Sequence, residues 1–210
     1  MTNLQTRRQF LKRGLLACST LAFATPRALG MLVRKPRPPL DADFAVANLA
    51  LIRRSSWTQT RPDAGKLHAA VAHDRLTVHH AGNRADFTTS EQSVIYELEG
   101  ILTAHRARRY GDIGYHFIVD YAGRVWEGRS LSYDGAHVAY ENEGNIGIML
   151  MGNFEEQQPS SEQVQSLDTL VSMLCDRFQI RRERIYGHRD LGYSVCPGRN
   201  LYPHVQEMRT

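Results

Sequence analysis

The stretch IYGHRDLGYSVCPG, Ile185 to Gly198, sets His188 and Cys196 eight positions apart on one short segment. Its opening, Arg184 to Tyr186, is apolar at its centre and reads as a short strand that leads into the HRD segment. An imidazole and a thiolate are good zinc ligands, but two of them leave the ion underbound. The best source of a third is LTVHHAG, Leu76 to Gly82, where an apolar alternation ends in His79 and His80. Arg75 to His80 reads as a buried strand. Successive side chains of a strand point to opposite faces, so only one of the two histidines faces the metal. Two histidines and one cysteine leave a fourth position for water, as catalytic zinc sites do. The pattern reads as a zinc hydrolase.

The remaining segments supply a scaffold. Thr88 to Arg109 is the clearest helix: Thr88-x-x-Glu91 matches a capping box, and Val94, Ile95, Leu98, Ile101, Leu102 and His105 share one face. His105 on that face is read as a packed histidine. Asp112 to Val119 begins a second strand, Asp120 to Gly123 is a turn, and Arg124 to Glu127 returns as its hairpin partner. NIGIMLMG, Asn145 to Gly152, is nearly all apolar, which suits a central strand covered on both faces. Ser160-x-x-Gln163 caps a second helix whose buried face runs through Val164, Leu167, Leu170, Val171, Leu174, Cys175 and Phe178. The tail to Met208 reads as a short final helix. Strands interleaved with two amphipathic helices imply an α/β fold, a sheet layered with helices in a single domain.

The net charge of +4 is concentrated at the N-terminus. Residues 1–24 hold Arg7, Arg8, Lys12 and Arg13 and no acid; residues 25–40 hold Arg27, Arg34, Lys35 and Arg37 and again no acid. From Asp41 onward 18 basic residues face 22 acidic ones, so the folded part is mildly acidic and nucleic acid is not expected as a partner. TRRQFLK followed by the short apolar run Gly14 to Ala24 and Ala22-Phe23-Ala24 resembles a twin-arginine export signal. The chain is therefore expected to be exported, to the periplasm or the extracellular space, and to meet a membrane only through that signal. Residues 25–48, rich in proline and basic side chains, read as a linker, and the domain is expected over 49–210. Cys18 falls in the leader. Of the other two cysteines, Cys175 is expected as a buried thiol and Cys196 as a ligand, in preference to a disulfide between them.

Taken in order, HH at a strand end, DIGYHFIVDYAGRVWEGR (Asp112–Arg129), GAH (Gly135–His137), NIGIMLMGNF (Asn145–Phe154), GHRD (Gly187–Asp190) and CPG (Cys196–Gly198) resemble the N-acetylmuramoyl-L-alanine amidase superfamily. That group includes the peptidoglycan recognition proteins and the phage amidase-type lysozymes. The resemblance runs from about Arg54 to about Tyr202. It implies a central mixed β-sheet with flanking helices and one Zn²⁺, held by His79, His188 and Cys196. It places the catalytic tyrosine at Tyr115. Two residues before the cysteine, phage enzymes carry lysine and catalytic recognition proteins threonine; here Ser194 keeps a hydroxyl that would donate to an oxyanion. Non-catalytic recognition proteins typically lose the cysteine ligand, which this chain retains.

His137 matches a family position and is expected to line the muramyl groove. Arg129 is expected either to meet a peptide carboxylate with its planar fork or to sit in a surface ion pair. His80 is read as packed or behind the metal ligands, His116 as facing away from Tyr115, and Glu141 and Glu143 as solvated surface charges. The implied function is hydrolysis of the amide between N-acetylmuramic acid and L-alanine in peptidoglycan or muropeptides, by a monomer. Two alternatives stand beside it: a recognition module that binds peptidoglycan without cutting, and an electron-transfer copper site built from Cys196, His204 and Met208.

Overall fold

The computed structural model describes residues 43–45, 47–83 and 87–210. The expected leader and nearly all of the expected linker lie outside the described residues. Six strands form one sheet in the order β1-β4-β3-β5-β2-β6: β1 (Leu51–Ile52), β2 (Arg75–His80), β3 (Phe117–Val119), β4 (Val125–Glu127), β5 (Asn145–Leu150) and β6 (Ile185–Gly187). The β3–β4 hairpin is antiparallel and the other pairings are parallel, so the sheet is mixed, as expected. β5 is buried along its whole length because β3 and β2 flank it and helices cover both its faces.

Strand alternation sorts the side chains onto two sides. Leu76, Val78, Phe117, Val119, Ile146, Ile148 and Leu150 meet helix α2 (Ser161–Phe178) through Leu167, Leu170, Val171 and Leu174. Ile118, Trp126 and Met149 point the other way and meet helix α1 (Glu91–Ala107) through Val94, Leu98 and Leu102. Two short helices follow late in the chain: α3 (His188–Leu191), directly after β6, and α4 (Tyr202–Glu207).

Both long helices start on a serine. Ser160 and Gln163 form the expected capping box, and Gln163 is fully buried, donating as well to the Met151 carbonyl at 2.9 Å. At α1 the expected box is not the one used: Ser90 is the cap and accepts from the Ser93 N–H, while Thr88 Oγ1 accepts from the Ser90 N–H outside the helix. Ser90 holds the extended backbone that a cap requires. The domain also starts earlier than residue 49. Phe44 is 2% exposed and packs on Phe117 at a ring separation of 5.8 Å, and Asp43 pairs with Arg177 of α2.

At the far end of α1, His105 Nδ1 accepts the Gly114 N–H at 2.9 Å. Burial, helped by Arg108 and Arg129, pushes its pKa down to about 4. The unfolded ring titrates near its ordinary value of about 6.5, so the folded chain takes up this proton later. The stability His105 contributes is fully present above pH 6.5 and is lost as pH falls toward 4. Relative to a His105→Gln variant, the wild type should lose about 2 kcal/mol between pH 7 and pH 5. Urea unfolding at the two pH values measures this, and parallel pH dependences for the two proteins would contradict it.

Candidate metal centre and active site

Register brings His79 and His188 together. β6 runs parallel beside β2 with Val78 opposite Gly187, so the next residue of each chain segment sets His188 against His79. Their rings stand 4.7 Å apart. His79 lies on the α1 side of the sheet, with Thr77 and Met149; His80 lies on the other side, where its Nδ1 accepts the Phe154 N–H at 3.2 Å. Only one histidine of the pair faces the site, as alternation requires.

The loop carrying Cys196 closes over β6 because Gly187 has no side chain: a Cβ there would lie 2.8 Å from Pro197 Cδ and 3.0 Å from the Tyr202 ring. The loop is tied down by the Arg189 N–H to the Cys196 carbonyl at 2.8 Å and by the Cys196 N–H to Ser194 Oγ at 3.1 Å. The His80 N–H donates to Cys196 Sγ at 3.3 Å.

One ligand atom each from His79, His188 and Cys196 falls within 4.8 Å of the others. His79 Nδ1 is 3.6 Å from Cys196 Sγ. A tetrahedral zinc with ordinary Zn–N and Zn–S bonds spans an edge of about 3.6 Å between such atoms, so the donor set fits that ion. Burial pushes the Cys196 thiol up to about 12, against the opposing pull of the His80 N–H. Burial also holds His79 well below the ordinary histidine range. A buried thiolate needs a cation beside it, and neutral imidazoles are the form that ligates.

Tyr115 stands next to this centre, its ring 5.2 Å from that of His79. Burial raises its pKa, so the phenol stays protonated and can act only as a neutral donor or acceptor. Among the described residues its hydroxyl has no hydrogen-bond partner. Ser194 Oγ accepts from Cys196 N–H, which leaves its own proton free to donate outward.

Two expected binding residues have other work. Arg129 is 3% exposed and donates to the carbonyls of Ile113, Asp134 and Tyr110 at 2.8 Å each, and of Asp112 at 3.3 Å. Its fork is spent stitching these loops from inside and not in a surface ion pair. His137 does not offer the groove a polar atom either. Its Nδ1 is 3.0 Å from His79 Nε2 and its Nε2 is 3.1 Å from the Asn145 carbonyl.

The copper alternative fails on geometry. Met208 is buried among core residues with Val205, and His204 lies by Glu207, so neither joins Cys196. Cys175 and Cys196 are both free. Glu141 pairs with Arg75 at 3.3 Å, in keeping with a surface charge. His116 is fully buried, its Nδ1 accepting from Gly147 N–H and its Nε2 donating to the Tyr133 carbonyl.

Comparison with known proteins places this geometry. A sequence profile of the family described as N-acetylmuramoyl-L-alanine amidase matches residues 67–199. Peptidoglycan-recognition protein SC2 of Drosophila melanogaster is 32% identical over 169 residues, 77% of this chain and 88% of that protein. Among solved structures, Drosophila peptidoglycan recognition protein SD superposes with a TM-score of 0.69 at 26% identity, covering 76% of this chain and 94% of its own. The amidase LysC of Clostridium intestinale superposes at 0.62 and 23% identity, with 75% and 95% covered, a likeness of fold. The profile spans more than half of the sequence, and this chain belongs to the N-acetylmuramoyl-L-alanine amidase family.

Proposed function

We propose that the chain is a zinc-dependent hydrolase that cleaves the amide between N-acetylmuramic acid and L-alanine in peptidoglycan or muropeptides. The observation that carries this reading is the convergence of His79 Nδ1 and Cys196 Sγ at a tetrahedral edge, with His188 alongside. An amide resists hydrolysis because its carbonyl is a weak electrophile and an amine is a poor leaving group. Bound zinc would supply Lewis acidity for that carbonyl and make hydroxide available near neutral pH.

The chain's own residues would do the rest. Tyr115, kept protonated by burial, would donate to the oxygen on which charge develops. Ser194, whose oxygen already accepts from the loop, would donate its proton to the same oxygen. Ser194→Ala is expected to lower kcat by about 10²-fold with little change in KM or zinc content, since one donor to a developing oxyanion is worth that much. Unchanged kcat would remove Ser194 from the chemistry.

The muropeptide substrate class is supported by a neighbour. The recognition-protein ectodomains LCa and LCx were solved with tracheal cytotoxin bound, and this chain matches that structure at a TM-score of 0.68 and 25% identity. The same neighbours favour a second reading, recognition without cleavage. Release of amino groups from peptidoglycan by zinc-loaded protein, lost on chelation and restored by added zinc, is the expected result. Binding without release, by protein shown to hold zinc, would favour recognition.

A further inference from the structure

A third imidazole, His137, adjoins the metal ligands without being one of them. We propose that His137 is a positioning residue that fixes the tautomer and ring orientation of His79, turning the His79 Nδ1 lone pair toward the metal. The inference rests on the proposed zinc site and not on cleavage.

One backbone carbonyl sets the direction of the whole relay. The Asn145 carbonyl oxygen can only accept, so His137 Nε2, 3.1 Å away, carries a hydrogen. The neutral ring then presents a lone pair at Nδ1. That atom is 3.0 Å from His79 Nε2, so His79 carries its hydrogen on Nε2. Nδ1 of His79 is left as the acceptor, and it is the atom that faces Cys196 Sγ. A metal-ligating histidine generally needs its other ring nitrogen held in this way.

The surroundings are shaped to this ring. A Cβ on Gly147 of β5 would lie 2.5 Å from His137 Cδ2 and 2.7 Å from its Nε2, and a Cβ on Gly135 would lie 2.3 Å from Cδ2. The absence of a side chain at both glycines makes room for the His137 imidazole. The backbone behind it is pinned by Asn142, whose Oδ1 accepts from the His137 N–H at 2.8 Å and the Val138 N–H at 2.9 Å. His116 packs edge-on against the ring at 6.1 Å, with both its own nitrogens engaged elsewhere, so it does not compete for His137. A residue meant chiefly to hydrogen-bond a ligand would keep a nitrogen free; His137 keeps none.

The test is zinc affinity of the full chain, measured by competition with a chromophoric chelator, with folding checked by circular dichroism. His137→Phe is expected to weaken zinc binding 10- to 100-fold. His137→Gln, whose amide oxygen can accept from His79 and whose amide nitrogen can donate to Asn145, is expected to recover most of it. A folded His137→Phe protein with wild-type zinc affinity overturns the proposal, as does one that keeps zinc and loses only peptidoglycan affinity. Imidazole ¹⁵N shifts of the zinc-free wild type give a second readout that needs no variant to fold. Hydrogen on Nε2 of His79 is expected there, and hydrogen on Nδ1 overturns the relay. If affinities follow the expected pattern in a protein that cuts nothing, the relay stands and the amidase reading falls.

Discussion

Cys196→Ala is expected to abolish zinc binding and amide cleavage together while leaving the fold in place. Its Sγ is the one donor in the set that becomes an anion; the residue is 8% exposed, and the sulfur accepts from the His80 N–H at 3.3 Å. Without it two neutral imidazoles remain, which cannot balance a divalent ion in a buried site. The ion's share of transition-state stabilisation is several kcal/mol, so cleavage should fall by at least about 10³-fold. The zinc-free variant should unfold within about 1 kcal/mol of the zinc-free wild type, because only a small buried thiol is lost. Metal content and urea unfolding measure both halves. Stoichiometric zinc and retained cleavage in Cys196→Ala would refute the ligand assignment.

Arg129→Met should destabilise the domain by about 3–5 kcal/mol. The substitution fills the same space but removes the Arg129 donors from the buried carbonyls of Asp112 and Ile113 and the half-buried ones of Tyr110 and Asp134. Each buried carbonyl left without a donor costs about 1–3 kcal/mol. Asp112 suffers too, since burial already raises its pKa and Arg54 and Arg129 are the cations that offset it. Arg129→Lys should recover little, because an ammonium cannot reach four divergent carbonyls as a planar fork does. Equilibrium unfolding in urea reads the loss. A change below about 1 kcal/mol, coupled to weaker peptidoglycan binding, would instead return Arg129 to the substrate.

The sequence carried the scaffold where pattern and local chemistry agree. β2 has the bounds its apolar alternation implies, the nearly all-apolar β5 is central, and Ser160 and Gln163 cap α2 as their spacing requires. The cluster of His79, His188 and Cys196 was readable because a strand end and a loop with characteristic residues carry it. What was not readable depended on distant partners. Arg129 shows its charge in sequence but not the carbonyls that converge on it. Phe44, one aromatic just after a basic, proline-rich run, gives no sign of Phe117, its partner across the fold. Thr88 and Ser90 are both competent caps, and the backbone at Ser90 decides between them. The role of His137 turns on the carbonyl of Asn145 and the missing side chain of Gly147, neither of which a motif displays.

Mass spectrometry of the products in ¹⁸O-labelled water tests the central claim most directly. Zinc-loaded protein incubated with peptidoglycan should release stem peptides with a free L-alanine amino terminus. One labelled oxygen should enter the lactyl carboxylate of muramic acid, and neither product should form with Cys196→Ala. Zinc-loaded protein that binds peptidoglycan yet yields no such peptides, or that cuts between sugars or within the stem, would contradict it.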